Sequence, residues 1–117
     1  MSNFMKVSSE NAPRVELHNK LGLTGAEISI NTIQAGEGLP FIHSHKQNEE
    51  IYYVIDGSGK AVIDNEEIDI VTGDWIRISP IAERQFFADK DNSLSYVCIQ
   101  VKENSLENFT ANDAIIK

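Results

Sequence analysis

Turn-forming residues break this chain at intervals of about 8–12 residues, and the apolar positions between them alternate instead of recurring at helical spacing. AEISINTIQ at 26–34 alternates, with Ile28 and Ile30 on one face, and AGEG at 35–38 follows as a glycine turn. LPFIHSH fills 39–45, and EEIYYVID at 49–56 is rich in β-branched and aromatic residues. DGSG at 56–59 reads as a second turn, and KAVID and EEIDIV flank a tight turn at Asp64 and Asn65. VTGD at 71–74 precedes WIRIS, RQFFA follows Pro80, and DKDN at 89–92 leads into LSYVCIQV at 94–101. The pattern predicts eight or nine short antiparallel strands and an all-β sandwich or barrel. Helix is scarce: SLENFTAND at 105–113 carries at most one turn or a short extension. Residues 1–13 are expected to run over the surface or add an edge strand.

At 117 residues the chain is expected to be one domain, 1–117, with a barrel core at 26–101 and edge or surface segments at 1–25 and 102–117. Ten basic against 18 acidic residues give a formal charge of −8. That balance argues against nucleic acid, which needs a basic face, and against docking on an anionic membrane. No apolar run approaches the roughly 18 residues of a membrane span. The N-terminus lacks the basic start and apolar run of a signal peptide, so a cytoplasmic location is expected. Cys98 is the only cysteine, which excludes an internal disulfide, and its neighbours mark it as a buried strand thiol.

Two of the three histidines sit two apart, at His43 and His45. On a strand, residues i and i+2 share a face, with alpha carbons about 6.5–7 Å apart. Two imidazoles at that spacing can converge on one ion, each about 2.0–2.1 Å from it. Glu50 opens the next strand and brings a carboxylate back beside them. Two histidines and one carboxylate form a facial set with open positions for a ligand. Ser44, between the histidines, points to the opposite face, so no nucleophile–base triad is present. GEG and GSG lack a following helix and do not cradle phosphate.

These residues resemble the cupin family, whose first motif reads G-x5-H-x-H-x3–4-E-x6-G. HSHKQNEEIYYVIDG matches it from His43 through Gly57, while Gly36 and Gly38 bracket the place of the leading glycine. The resemblance continues through KAVIDNEEIDIVTGDWIRISP, which looks like the family's central hairpin and its Gly-Asp turn at Gly73 and Asp74. It covers roughly residues 26–101 and implies a single-domain jelly-roll β-barrel. Glu49 and Glu50 both fit the gap after His45. Only Glu50 lies seven positions before Gly57, on a face with Tyr52 and Val54, whereas Glu49 shares one with Ile51 and Tyr53. The resemblance thus implies a divalent transition metal (Zn, Fe, Mn or Ni) at His43, His45 and Glu50.

The second motif, G-x5-P-x-G-x2-H-x3-N, departs. With Gly73 on its first glycine, Ser79 falls on the proline, Ile81 on the second glycine, Arg84 on the ligand histidine and Ala88 on the asparagine. A guanidinium cannot bind a cation. Either three ligands hold the metal while Arg84 clamps an anionic group of the ligand, or Arg84 pairs with Glu50 and the metal is absent. A solvated Arg84 is the third alternative. By parity Phe41 joins the histidines, Tyr52 joins Glu50, and Phe86 joins Arg84, making Phe41 and Tyr52 candidate ligand-binding walls. His18 is expected at the surface or on an edge strand, outside the metal set, and Trp75 in the core or at a subunit contact. The expected function is binding of a small-molecule ligand, with metal-dependent oxidation or isomerisation of a small polar or acidic metabolite as the reaction class. The rival is a non-catalytic, metal-free module binding a sugar or acid. A nucleotide-sugar isomerase on the same barrel needs a His–Asp base and a tyrosine acid, a pairing not evident here. Small cupins typically pair, so the resemblance implies a homodimer.

Overall fold

A computed structural model describes residues 2–107 and 112–117. Strands β1 (Arg14–Glu16), β2 (Glu27–Ile33), β3 (Asn48–Ile63), β4 (Glu66–Val71), β5 (Trp75–Ile78), β6 (Arg84–Ala88) and β7 (Leu94–Lys102) follow in order, with one helical turn, α1 (His18–Leu21), after β1. All pairings are antiparallel. One layer runs β1-β2-β7-β3, with β5 on the other side of β3; the second half of β3 leaves that layer and pairs with β4 and β6. A single long strand therefore joins the two faces of a jelly-roll barrel.

That strand replaces the expected turn at 56–59. β3 runs through DGSG, bending at a register shift between Val54 and Asp56. Gly57 has φ +92°, and a Cβ there would fall 1.8 Å from the Ser93 carbonyl oxygen. A Cβ on Gly59 would fall 2.1 Å from the Phe87 carbonyl oxygen. The glycines thus permit close backbone approach at a bend instead of reversing the chain. The real reversal is at Asp64 and Asn65, both at positive φ, as a two-residue hairpin with right-handed strand twist requires.

The described strands number seven, not eight or nine, because 39–45 forms none. The only bridge of this segment is the isolated one from His43 to Arg84, with a second at Gly38 to Phe87 just before it, and single backbone bonds join Leu39 to Phe86 and His45 to Pro80. Residues 2–13 form no strand and are mostly exposed, while β1 extends the sheet edge upstream of residue 26. The proposed extension at 105–113 falls partly on 108–111, outside the described residues. No helix among the described residues is long and apolar enough to cross a membrane.

The core lies between the layers. Ile33, Tyr52, Val54, Ala61, Ile70, Ile78, Phe86, Leu94 and Tyr96 are all buried there. Full burial of an aliphatic or aromatic side chain contributes roughly 1.5–3 kcal/mol. Tyr52, Phe86 and Tyr96 pack ring on ring, with centroids 4.5–5.6 Å apart. On β2 the inward face is not Ile28 and Ile30 but Ser29, Asn31 and Ile33, paired with Cys98, Tyr96 and Leu94 of β7. A strand that turns polar groups inward lines a cavity rather than a dry core. Trp75 is not in the core: it is 65% exposed and stacks on Tyr53 outside the barrel.

Candidate metal and ligand site

The barrel encloses a cavity of about 420 Å³. Its floor carries His43, His45, Glu50, Tyr52 and Cys98; Phe41, Leu39, Tyr96 and the polar face of β2 form its walls. The inward parity of Glu50, Tyr52 and Val54 holds: Glu50 is 2% exposed, while Glu49 on the opposite face is half-buried.

His43 and His45 converge without a strand beneath them. The His43 amide donates to the Arg84 carbonyl, the His43 carbonyl accepts from the Arg84 amide, and the His45 amide donates to the Pro80 carbonyl. These three bonds fix the segment against the β5–β6 connection and keep both rings on the cavity side. The imidazoles meet edge to face, centroids 5.1 Å apart, and Phe41 packs against His43 at 5.9 Å.

Donor geometry suits one ion. His45 Nε2 lies 3.0 Å from Glu50 Oε2, and His43 Nε2 lies 3.8 Å from Glu50 Oε1. Ligands bound at about 2.1 Å stand about 3–3.4 Å from one another in tetrahedral or octahedral shells. All three residues offer donor atoms within 4.8 Å of one another. His45 Nε2 is buried and makes no hydrogen bond, for its approach to Glu50 lacks the alignment of one. A buried imidazole nitrogen left this way is suited to coordination.

Glu50 is also the hub of a hydrogen-bond network. Arg84 Nη1 donates to its Oε1 at 2.7 Å, the Tyr52 hydroxyl donates to the same oxygen, and Cys98 Sγ donates to Oε2 at 3.3 Å. Burial alone raises the Glu50 pKa. The bonds from Tyr52, Arg84 and Cys98, with His45 beside it, outweigh burial and hold it below the usual carboxylate value. Burial, opposed by Glu50 and reinforced by Arg84 and His45, lowers the His43 pKa. Burial first, then the Glu50 charge, pushes the Cys98 thiol up to about 12. Burial first, then Cys98 and the Glu50 charge beside it, drive Tyr52 well above the phenol range, so it stays a donor.

Arg84 is fully buried, which removes the solvated alternative. Besides Glu50 it donates through Nη2 to the carbonyls of Ser79 and Ala82, at 2.7 and 2.8 Å. It stands behind Glu50 and is not among the cavity-lining residues. Its Nη1 and Nη2 are turned to Glu50 and to the carbonyls of Ser79 and Ala82, while its buried Nε makes no hydrogen bond among the described residues. Of the other candidate walls, Tyr52 lines the cavity from the floor, and Phe41, 54% exposed, lines it from the rim.

Sequence reading missed Arg14. It lines the cavity from β1, and its Nη1 donates to Asn31 Oδ1 at 2.8 Å. The alternation of β2 offered a signal, since one of its two faces is polar at Ser29 and Asn31. His18 lies in α1, not on an edge strand; its Nδ1 is 3.7 Å from Glu27 in a separate, more exposed group with Glu16.

Comparison with known proteins agrees with this architecture. Residues 29–100 match the family model described as Cupin domain. The crystal structure of a cupin protein from Bacteroides fragilis is 50% identical, with TM-score 0.95 over 100% of this chain and 99% of that one. A sugar phosphate isomerase structure from Silicibacter pomeroyi, 19% identical, shares the fold at TM-score 0.65 over 77% of this chain and 60% of its own. An uncharacterized protein of Methanocaldococcus jannaschii is 44% identical over 39 residues, a match spanning 33% of this chain and 31% of that protein. With the family model covering more than half of the residues and the barrel built as described, the chain belongs to the cupin family.

Proposed function

We propose that this cupin binds a small polar or acidic metabolite in its barrel, over a divalent transition metal held by His43, His45 and Glu50. The observation that carries the reading is the convergence of three donor atoms within 4.8 Å, one of them a buried imidazole nitrogen without a hydrogen bond. Zn, Fe, Mn or Ni suits two imidazoles and a carboxylate. When bound, such an ion supplies Lewis-acid polarisation or oxygen activation, the basis for oxidation or isomerisation.

The chain's own groups prepare the site. Arg84 and Tyr52 fix the rotamer of Glu50 so that Oε2 remains on the His45 side. The buried Tyr52, Tyr96 and Phe86 exclude water beneath it. Phe41 and Leu39 give the ligand an apolar wall.

A second reading, a metal-free module for a sugar or acid, is favoured by one observation: the Glu50 charge is already matched by Arg84 at 2.7 Å. Elemental analysis of protein purified with and without chelator separates the two. About one equivalent of transition metal, removable by chelator, supports the metal site; none under either condition supports the module. Pairing of two copies in the cytoplasm belongs to the same proposal, supported by the exposed Trp75, Ile81 and Val71 on the outer surface.

A further inference from the structure

Every inward charge on the cavity floor has a partner, whereas the rim carries a cation that reaches beyond its own. Glu50 is matched by Arg84, which leaves the imidazoles of His43 and His45 and the Tyr52 hydroxyl. Arg14 is the one lysine or arginine among the lining residues. Its Nε contacts the half-exposed Glu16 at 3.3 Å, and its Nη1 donates to Asn31 at 2.8 Å. Nη2 makes no hydrogen bond among the described residues, and a guanidinium presents its donors as a rigid fork suited to carboxylate.

The support beneath Arg14 is built, not incidental. Asn31 is 8% exposed, and its Nδ2 donates to Ser29 Oγ at 3.0 Å; Ser29 is 4% exposed. This sets the direction of the chain: Asn31 Oδ1 faces Arg14, and the Ser29 hydroxyl, having accepted, keeps its own proton for the cavity. Two buried polar side chains on a β-sheet face cost stability unless they are bonded, and here they hold an arginine at the cavity rim. Backbone pairing of Arg14 with Asn31, and the Thr32 amide donating to the Pro13 carbonyl at 2.9 Å, tie β1 down at that place.

We propose that Arg14, positioned by Asn31 and Ser29, is the anion-recognition residue of the cavity, and that the natural ligand is a small organic diacid. One carboxylate meets Arg14 at the rim and the other lies over the His43–His45–Glu50 floor. This rests on the reading of the cavity as a ligand site with a cation at its floor. The cavity of about 420 Å³ suits a molecule of metabolite size.

The test uses succinate and glutarate, each against the monoacid of equal length, butyrate and valerate, by calorimetry on the Zn-loaded and the metal-free protein. Wild type should bind the better diacid at least tenfold more tightly than its monoacid. Arg14→Gln should abolish that preference, and Arg14→Lys should restore part of it. Zn titrated alone should bind wild type and Arg14→Gln within twofold of each other. A preference that survives in Arg14→Gln, or no preference in wild type at either chain length, overturns the assignment. Failure of wild type to bind Zn alone overturns the metal floor instead; the role of Arg14 is then read from the monoacids on the metal-free protein, where Arg14→Gln should bind butyrate and valerate at least tenfold more weakly than wild type and equal affinity overturns it.

Discussion

Arg84 donates to Glu50 at 2.7 Å across 34 residues of sequence, from the place where the cupin pattern sets a ligand histidine. The pair is fully enclosed, with Arg84 0% and Glu50 2% exposed. Breaking a buried pair from one side leaves an uncompensated charge and costs about 3–5 kcal/mol. Arg84 thus stabilises the metal-free site while its charge opposes a cation there.

Glu50→Gln should lower the stability of the metal-free protein by about 3–5 kcal/mol and weaken divalent metal binding, since Arg84 loses its counter-charge. Glu49→Gln should alter either quantity little. Urea denaturation and metal titration of both variants check this, and a reversed order would place the wrong glutamate inside.

Arg84→His should tighten divalent metal binding at least tenfold, because it removes a positive charge and adds a donor at the fourth-ligand position. The same change should cost the metal-free protein about 3–5 kcal/mol, because it leaves Glu50 buried without its counter-charge and frees the Ser79 and Ala82 carbonyls. Calorimetry with Zn and a parallel denaturant series read both effects. Unchanged metal affinity would mean the guanidinium charge is not felt at the site.

Acid should unfold the metal-free protein partly through Glu50. Its folded pKa lies below the unfolded value, so its contribution is complete above about pH 4.5 and disappears as pH falls through the folded value. Arg84→Met removes a bond that depresses that pKa, so stability should fall less steeply with acid in the variant than in wild type. Denaturant midpoints between pH 7 and pH 3 give the slopes; equal slopes would contradict the linkage.

Gly57→Ala should be far more damaging than Gly73→Ala. Both have positive φ, +92° and +97°, but only at Gly57 does the added Cβ meet backbone, 1.8 Å from the Ser93 oxygen. Gly73→Ala should cost about 1–2 kcal/mol of backbone strain, and Gly57→Ala about 3 kcal/mol or more. Urea midpoints measure the difference.

What the sequence made legible follows strand parity. Glu50 was separable from Glu49 by register on β3, whereas His43 and His45 converge without the strand that the i, i+2 reading assumed. The DGSG segment misled because a glycine that allows backbone contact looks, in sequence, like one that reverses the chain. The segment at 39–45 lacks a strand because its backbone bonds go to Pro80, Arg84 and Phe86, partners some 40 residues away that no local pattern reveals. Arg14 reaches the cavity only because β1 pairs with β2, a long-range fact. Arg84 was visible as a departure, yet its burial depends on where β3 and β6 meet.

The convergence of His43, His45 and Glu50 on one ion is tested most directly by calorimetric titration of chelator-treated protein with Zn, Mn, Ni and anaerobic Fe(II). Wild type should bind about one ion per chain, and His43→Ala and His45→Ala, folded by circular dichroism, should each bind at least tenfold more weakly. No binding by wild type to any of the four ions, or equal binding by wild type and both variants, would contradict the site.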